Sequence, residues 1–71
     1  MKNFIVEDRK VGEVVLEGKI SEAGGVIVTS SRSLSEVQVE GIVSQISRDV
    51  AAGSTRGRVV PGDLDWLEVA H

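Results

Sequence analysis

A chain of 71 residues, 41% apolar and 27% charged, has room for one domain spanning residues 1–71 and a thin core, and this balance argues against intrinsic disorder. Its net charge of −3 removes the default electrostatic case for a DNA or RNA partner, and the lack of cysteine removes disulfides, thiol chemistry and thiolate metal sites. No apolar run approaches the roughly 18–20 residues of a membrane span, and Met1 to Ile5 carries no apolar signal-peptide core, so the expectation is a cytoplasmic protein with no membrane partner.

Asn3 to Glu7 is a short apolar segment expected as an edge strand, and Asp8 to Gly12 is polar and turn-like. From Glu13 the pattern turns to period two. Val14, Leu16, Gly18 and Ile20 fall on one side and Glu13, Glu17 and Lys19 on the other, which predicts a half-buried strand. Val15 interrupts the alternation, and Gly18 points to a bulge or a close backbone approach. Ser21 to Gly25 reads as a hairpin connection in which Gly24-Gly25 supply positive φ. Val26 to Thr29 is a second, β-branched strand, and a hydroxyl-rich run through Ser33 follows it.

The clearest element is a helix from Glu36 to about Ala52. Leu34 and Val39 bracket Ser35 as a hydrophobic staple, and Ser35 with Gln38 spells a capping box, with Ser33 and Glu36 offering a competing box earlier in the chain. Val39, Ile42, Val43, Ile46 and Val50 recur at helical spacing, and Gly53 stands where the helix must stop. Thr55 to Val60 then extends, Pro61-Gly62 fits the centre of a type II turn, and Asp65 to Ala70 is the last strand. The predicted fold is α+β: a small antiparallel sheet of three to five strands with one helix packed across one face.

Such a core yields only about 3–5 kcal/mol of net stability, so association with a protein partner or as a homo-oligomer is expected. Two candidate contact features stand out. Taking about 100° per residue, Val37, Gly41, Ser44 and Arg48 lie opposite the core stripe of the helix. Gly41 there costs about 1 kcal/mol relative to Ala; it marks a close approach by another chain, a position under no constraint, or a place where the N-terminal segment folds over the helix. Trp66, the sole tryptophan, is either a core plug or a binding anchor.

Candidates for chemistry are sparse. The sole histidine, His71, is the last residue, where no second group is expected to hold it for catalysis, and no metal or cofactor is implied. Asp63, Asp65 and Glu68 lack the spacing of a calcium loop. Arg32 in its hydroxyl-rich run, with Arg56 and Arg58 at period two, forms a candidate anion-binding set. The competing role for Arg56 and Arg58 is charge balance against the three acidic residues. Gly53 to Arg58 follows a helix and has no Lys before a Ser or Thr, so it is not a P-loop. No nucleophile–base pair can be assembled, which makes an enzyme the least expected class.

Leu64-Asp65-Trp66-Leu67-Glu68-Val69 resembles the Leu-Asp-Trp-Phe-Glu-Val signature of the dodecin flavin-binding family. The likeness covers six residues, and the glycine-rich segment preceding it departs from that family's plan, so no flavin site is carried over. The wider plan of a short β-meander, a capped helix and a Trp strand is similar to small accessory proteins of bacteriophages and mobile elements, a class that includes anti-CRISPR proteins. That resemblance implies a non-enzymatic, phage-type inhibitor of a host defence protein. The alternatives are a nucleic-acid or anion-binding module using Arg32, Arg56 and Arg58, and a small homo-oligomeric structural protein.

Overall fold

The computed structural model of the chain describes residues 1–59 and 63–69. The Pro61-Gly62 turn, Ala70 and His71 lie outside the described residues. The elements are β1 (Lys2–Asp8), β2 (Glu13–Ile20), β3 (Val26–Ser31), α1 (Glu36–Ala51), β4 (Arg56–Val59) and β5 (Leu64–Val69). The strands form one antiparallel five-stranded sheet in the order β3-β2-β1-β5-β4, with the helix laid over one face. The α+β architecture is therefore the one the sequence predicts. The N-terminal segment is not an edge strand, however. β5 returns antiparallel to β1 after the helix and makes β1 the central strand.

The helix ends follow the side-chain chemistry. Ser35 caps the N-terminus: its Oγ accepts from Gln38 N–H at 3.2 Å, while Gln38 Oε1 accepts from Ser35 N–H at 2.8 Å. The competing Ser33–Glu36 box does not form, because Ser33 sits at φ 55, outside the extended conformation a cap needs. At the other end Gly53 adopts φ 85, with Gly53 N–H on the Val50 carbonyl and Ser54 N–H on the Asp49 carbonyl, both at 2.9 Å. These two bonds are a Schellman closure.

The core is built from Phe4, Val6, Leu16, Ile20, Ile42, Ile46, Val59 and Trp66, with Leu34, Val39 and Val50 packed around it. One register row crosses all five strands beneath the helix: Ser31, Leu16, Val6, Trp66 and Gly57. The alternation of β2 changes phase at Val15. The β1–β2 register shifts between Val6 and Glu7, so Leu16 pairs with Val6 on the helix side while Val14 pairs with Glu7 on the far side. Val14 thus leaves the core face on which strict alternation places it.

The only phenylalanine and the only tryptophan each face a glycine across the sheet, Phe4 opposite Gly18 and Trp66 opposite Gly57. A Cβ on Gly18 would strike the Ile27 carbonyl oxygen and would come within 2.6 Å of the Phe4 ring. A bare backbone is what lets each ring lie flat against the neighbouring strand.

Candidate functional site

Trp66 is fully buried, with 0% of its surface exposed. Its indole Nε1–H donates to Asp49 Oδ2 at 2.8 Å, and Gln45 Nε2 donates to Asp49 Oδ1 at 3.3 Å. The binding-anchor expectation for Trp66 is therefore corrected to the core-plug role. β5 turns Trp66 and Leu64 toward the helix and leaves Leu67 and Val69 on the opposite face. Asp49, whose carboxylate makes this burial possible, was not singled out by the sequence; its only signal is an acidic residue on the flank of the apolar helix stripe.

Val37, Gly41, Ser44 and Arg48 all lie on the exposed outer surface of α1. Val37 is 79% exposed, and a Cβ built on Gly41 meets nothing within 4 Å, so the N-terminal segment does not fold over this strip.

The arginines do not form one site. Arg56 and Arg58 share the face of β4 that points away from the helix, paired across the strands with Leu67 and Asp65. Arg32 follows β3 at the opposite edge of the sheet, with its backbone N–H on the Val15 carbonyl. Three strands stand between β3 and β4, which puts them roughly 19–20 Å apart at ordinary strand spacing. The hydroxyl run is not an anion loop either: Thr29, Ser30 and Ser31 belong to β3, and Thr29 Oγ1 donates to the Glu17 carbonyl at 3.3 Å. The expected charge balance also has different partners. Asp63 pairs with Lys10 at 3.4 Å, Asp65 with Arg9 at 3.2 Å and Glu68 with Lys2 at 3.3 Å. Such exposed pairs contribute at most about 1 kcal/mol each. Among the described residues no three His, Cys, Asp or Glu side chains come together to hold a metal ion, and no helix is long and apolar enough to cross a membrane.

The surface the sequence reading missed is the sheet face away from the helix. Three register rows cross it. Ile27, Lys19, Asn3 and Val69 form one; Glu17, Ile5, Leu67 and Arg56 form the next; Val14, Glu7, Asp65 and Arg58 form the third. Ile5 and Leu67 pair directly at its centre and are half-buried only by their neighbours, while Val69 is 38% and Ile27 47% exposed. An open concavity along β4 and β5, lined by Arg9, Arg56, Arg58, Asp65, Leu67 and Val69, extends this face toward the arginines. The signal in the sequence was there: β1 and β5 carry apolar residues at odd and even positions alike, which a strand with one wet face does not need.

No family model, curated protein or solved structure matches the chain.

Proposed function

We propose that this protein is a non-catalytic protein-binding module whose working surface is the open face of the sheet. One observation carries the reading: a single helix covers one face, and the other presents the cross-strand pair Ile5 and Leu67 with Val69 beside it, framed by charge. Apolar surface that a sheet leaves uncovered in this way marks interaction sites. The charge frame describes the partner. Arg56 and Arg58 on the β4 side call for acidic groups, opposite an apolar patch that covers Ile5 and Leu67. A phage-type inhibitor of a host protein is the form of this activity that the architectural resemblance supports.

The separation of Arg32 from Arg56 and Arg58 weighs against the nucleic-acid alternative, because phosphate binding draws on neighbouring cations.

The test compares the parent with Leu67→Glu, each immobilised and exposed to bacterial host lysate, with folding of the variant verified from Trp66 fluorescence. A protein retained by the parent and reduced at least about 10-fold by Leu67→Glu, as expected when a charge is buried at an interface centre, supports the reading. Equal retention by both, or no specific retention by the parent, overturns it.

A further inference from the structure

We infer that β3 is a self-association edge: two copies of the chain join antiparallel through their Val26–Thr29 stretches, across a two-fold axis, into one continuous sheet. β3 stands at the end of the strand order, so among the described residues no strand lies beside one row of its backbone N–H and C=O groups.

The two edges of the sheet are built differently. β4 is four residues long, and two of the four are arginine. Short length and charge are the usual means by which an edge repels other strands. β3 has six residues, Val-Ile-Val-Thr-Ser-Ser, with no charge, proline or glycine among them; its one irregularity is a register shift against β2 that leaves Thr29 without a cross-strand partner, so the regular stretch is Val26–Val28. A two-fold axis sets each residue of the stretch against another residue of the same stretch. A charged strand would therefore meet its own charge, and β3 has none to meet.

The flank of the helix above this edge is aliphatic as well. Val50 lies 4.0 Å from where a Cβ on Gly24 would stand, in the β2–β3 turn, while Asp49 lies over β4 at Gly57. Val39 and Val43 fall on the Val50 side of the helix by their spacing. Together with Val26 and Val28 below them, these residues are half-buried, and they form a valine seam along the β3 edge. The β4 flank instead carries Gln45 and Asp49, already engaged with each other and with Trp66.

The direction of the helix suits the same occupant. α1 runs antiparallel to β3, since Ser35 follows that strand's far end and Val50 returns to the turn that begins it. An axis that pairs β3 with its copy therefore sets the two helices antiparallel. The N-terminus of each helix then lies toward the end at which the partner helix has its C-terminus. That arrangement opposes unlike dipole ends.

The inference is independent of the open-face reading, and its test reads mass rather than partner capture. The full chain is measured by sedimentation or light scattering across a dilution series, with a dimer expected at twice 7.6 kDa. Two double variants place charge on the exposed edge positions: Ile27→Glu with Thr29→Glu, and Ile27→Lys with Thr29→Lys. Each alone should dimerise at least about 10-fold more weakly than the parent, and an equimolar mixture of the two should recover the dimer, because unlike charges then face each other. A parent that stays monomeric up to about 1 mM, the limit of weak association, overturns the inference. So does a charged variant that remains as dimeric as the parent, or a mixture that gains nothing. Should either variant fail to fold, hydrogen exchange on the parent decides: the amides of β3 that point away from β2 must lose protection on dilution, and unchanged protection refutes the edge. A monomeric parent rejects self-pairing whatever the charged variants do to partner capture, because Ile27 also lies on the open sheet face.

Discussion

The indole N–H of Trp66 reaches Asp49 Oδ2 at 2.8 Å directly over the bare backbone of Gly57. Three residues thereby solve one problem. A tryptophan buried to 0% exposure must satisfy its N–H. Asp49 supplies the acceptor from the last turns of α1, and Gly57 leaves the gap through which the carboxylate passes. A Cβ there would stand 2.6 Å from Asp49 Oδ2 and 3.0 Å from Trp66 Nε1. The contact ties the helix to β4 and β5.

Asp49→Ala should therefore destabilise the fold by about 1–3 kcal/mol, since it leaves a buried donor without a partner. Asp49→Asn keeps an oxygen acceptor and should lose about 1 kcal/mol or less. Urea titrations followed by the single tryptophan give both values, and equal losses for the two variants would mean the hydrogen bond is not what Asp49 contributes.

Gly18→Ala and Gly57→Ala should both destabilise, in that order of severity. At Gly18 the added methyl meets the Ile27 carbonyl, a backbone atom that cannot swing aside, as well as the Phe4 ring. At Gly57 it meets the Asp49 side chain, which can rotate away at the expense of its bond to Trp66. Overpacking of this kind costs about 1–3 kcal/mol, with Gly18→Ala at or above the upper end. Thermal melts showing Gly57→Ala as the worse of the two would contradict the assigned contacts.

Ile46→Ala should cost about 2–5 kcal/mol through the cavity it leaves, because Ile46 is fully buried between helix and sheet. Val43→Ala, at a half-buried position on the helix flank, should cost clearly less. A melting temperature for Ile46→Ala within a degree or two of the parent's would mean that the helix docks by another face.

Gly41→Glu should fold as well as the parent or better, gaining up to about 1 kcal/mol of helix propensity at a position with open space around it. Its effect on partner capture separates two surfaces. With the open sheet face at work, Gly41→Glu captures like the parent while Leu67→Glu fails. The opposite pattern would move the working surface to the strip of Val37, Gly41, Ser44 and Arg48.

Binding to duplex or single-stranded nucleic acid should be no tighter than about 10⁻⁴ M at physiological salt, the weak end of non-specific affinity. A titration that found micromolar, salt-sensitive binding, lost on replacing Arg56 and Arg58, would reinstate the anion-binding alternative.

Local chemistry by itself determined much of this protein. The capping box at Ser35 and Gln38, the glycine stop at Gly53, the broken alternation at Val15 and the bulge and close approach signalled by Gly18 are all short-range effects of backbone sterics and hydrogen bonding, legible from a few neighbouring residues. Only the tertiary structure decided the rest. That β1 lies at the centre of the sheet depends on β5 crossing back beside it, and period-two patterning is the same for any strand order. The fate of Trp66 turned on Asp49, 17 residues away in sequence. The division of the arginines followed from β3 and β4 standing at opposite edges. Periodicity tells which residues share a face; which faces and edges find a neighbour is settled by long-range contacts that no local pattern encodes.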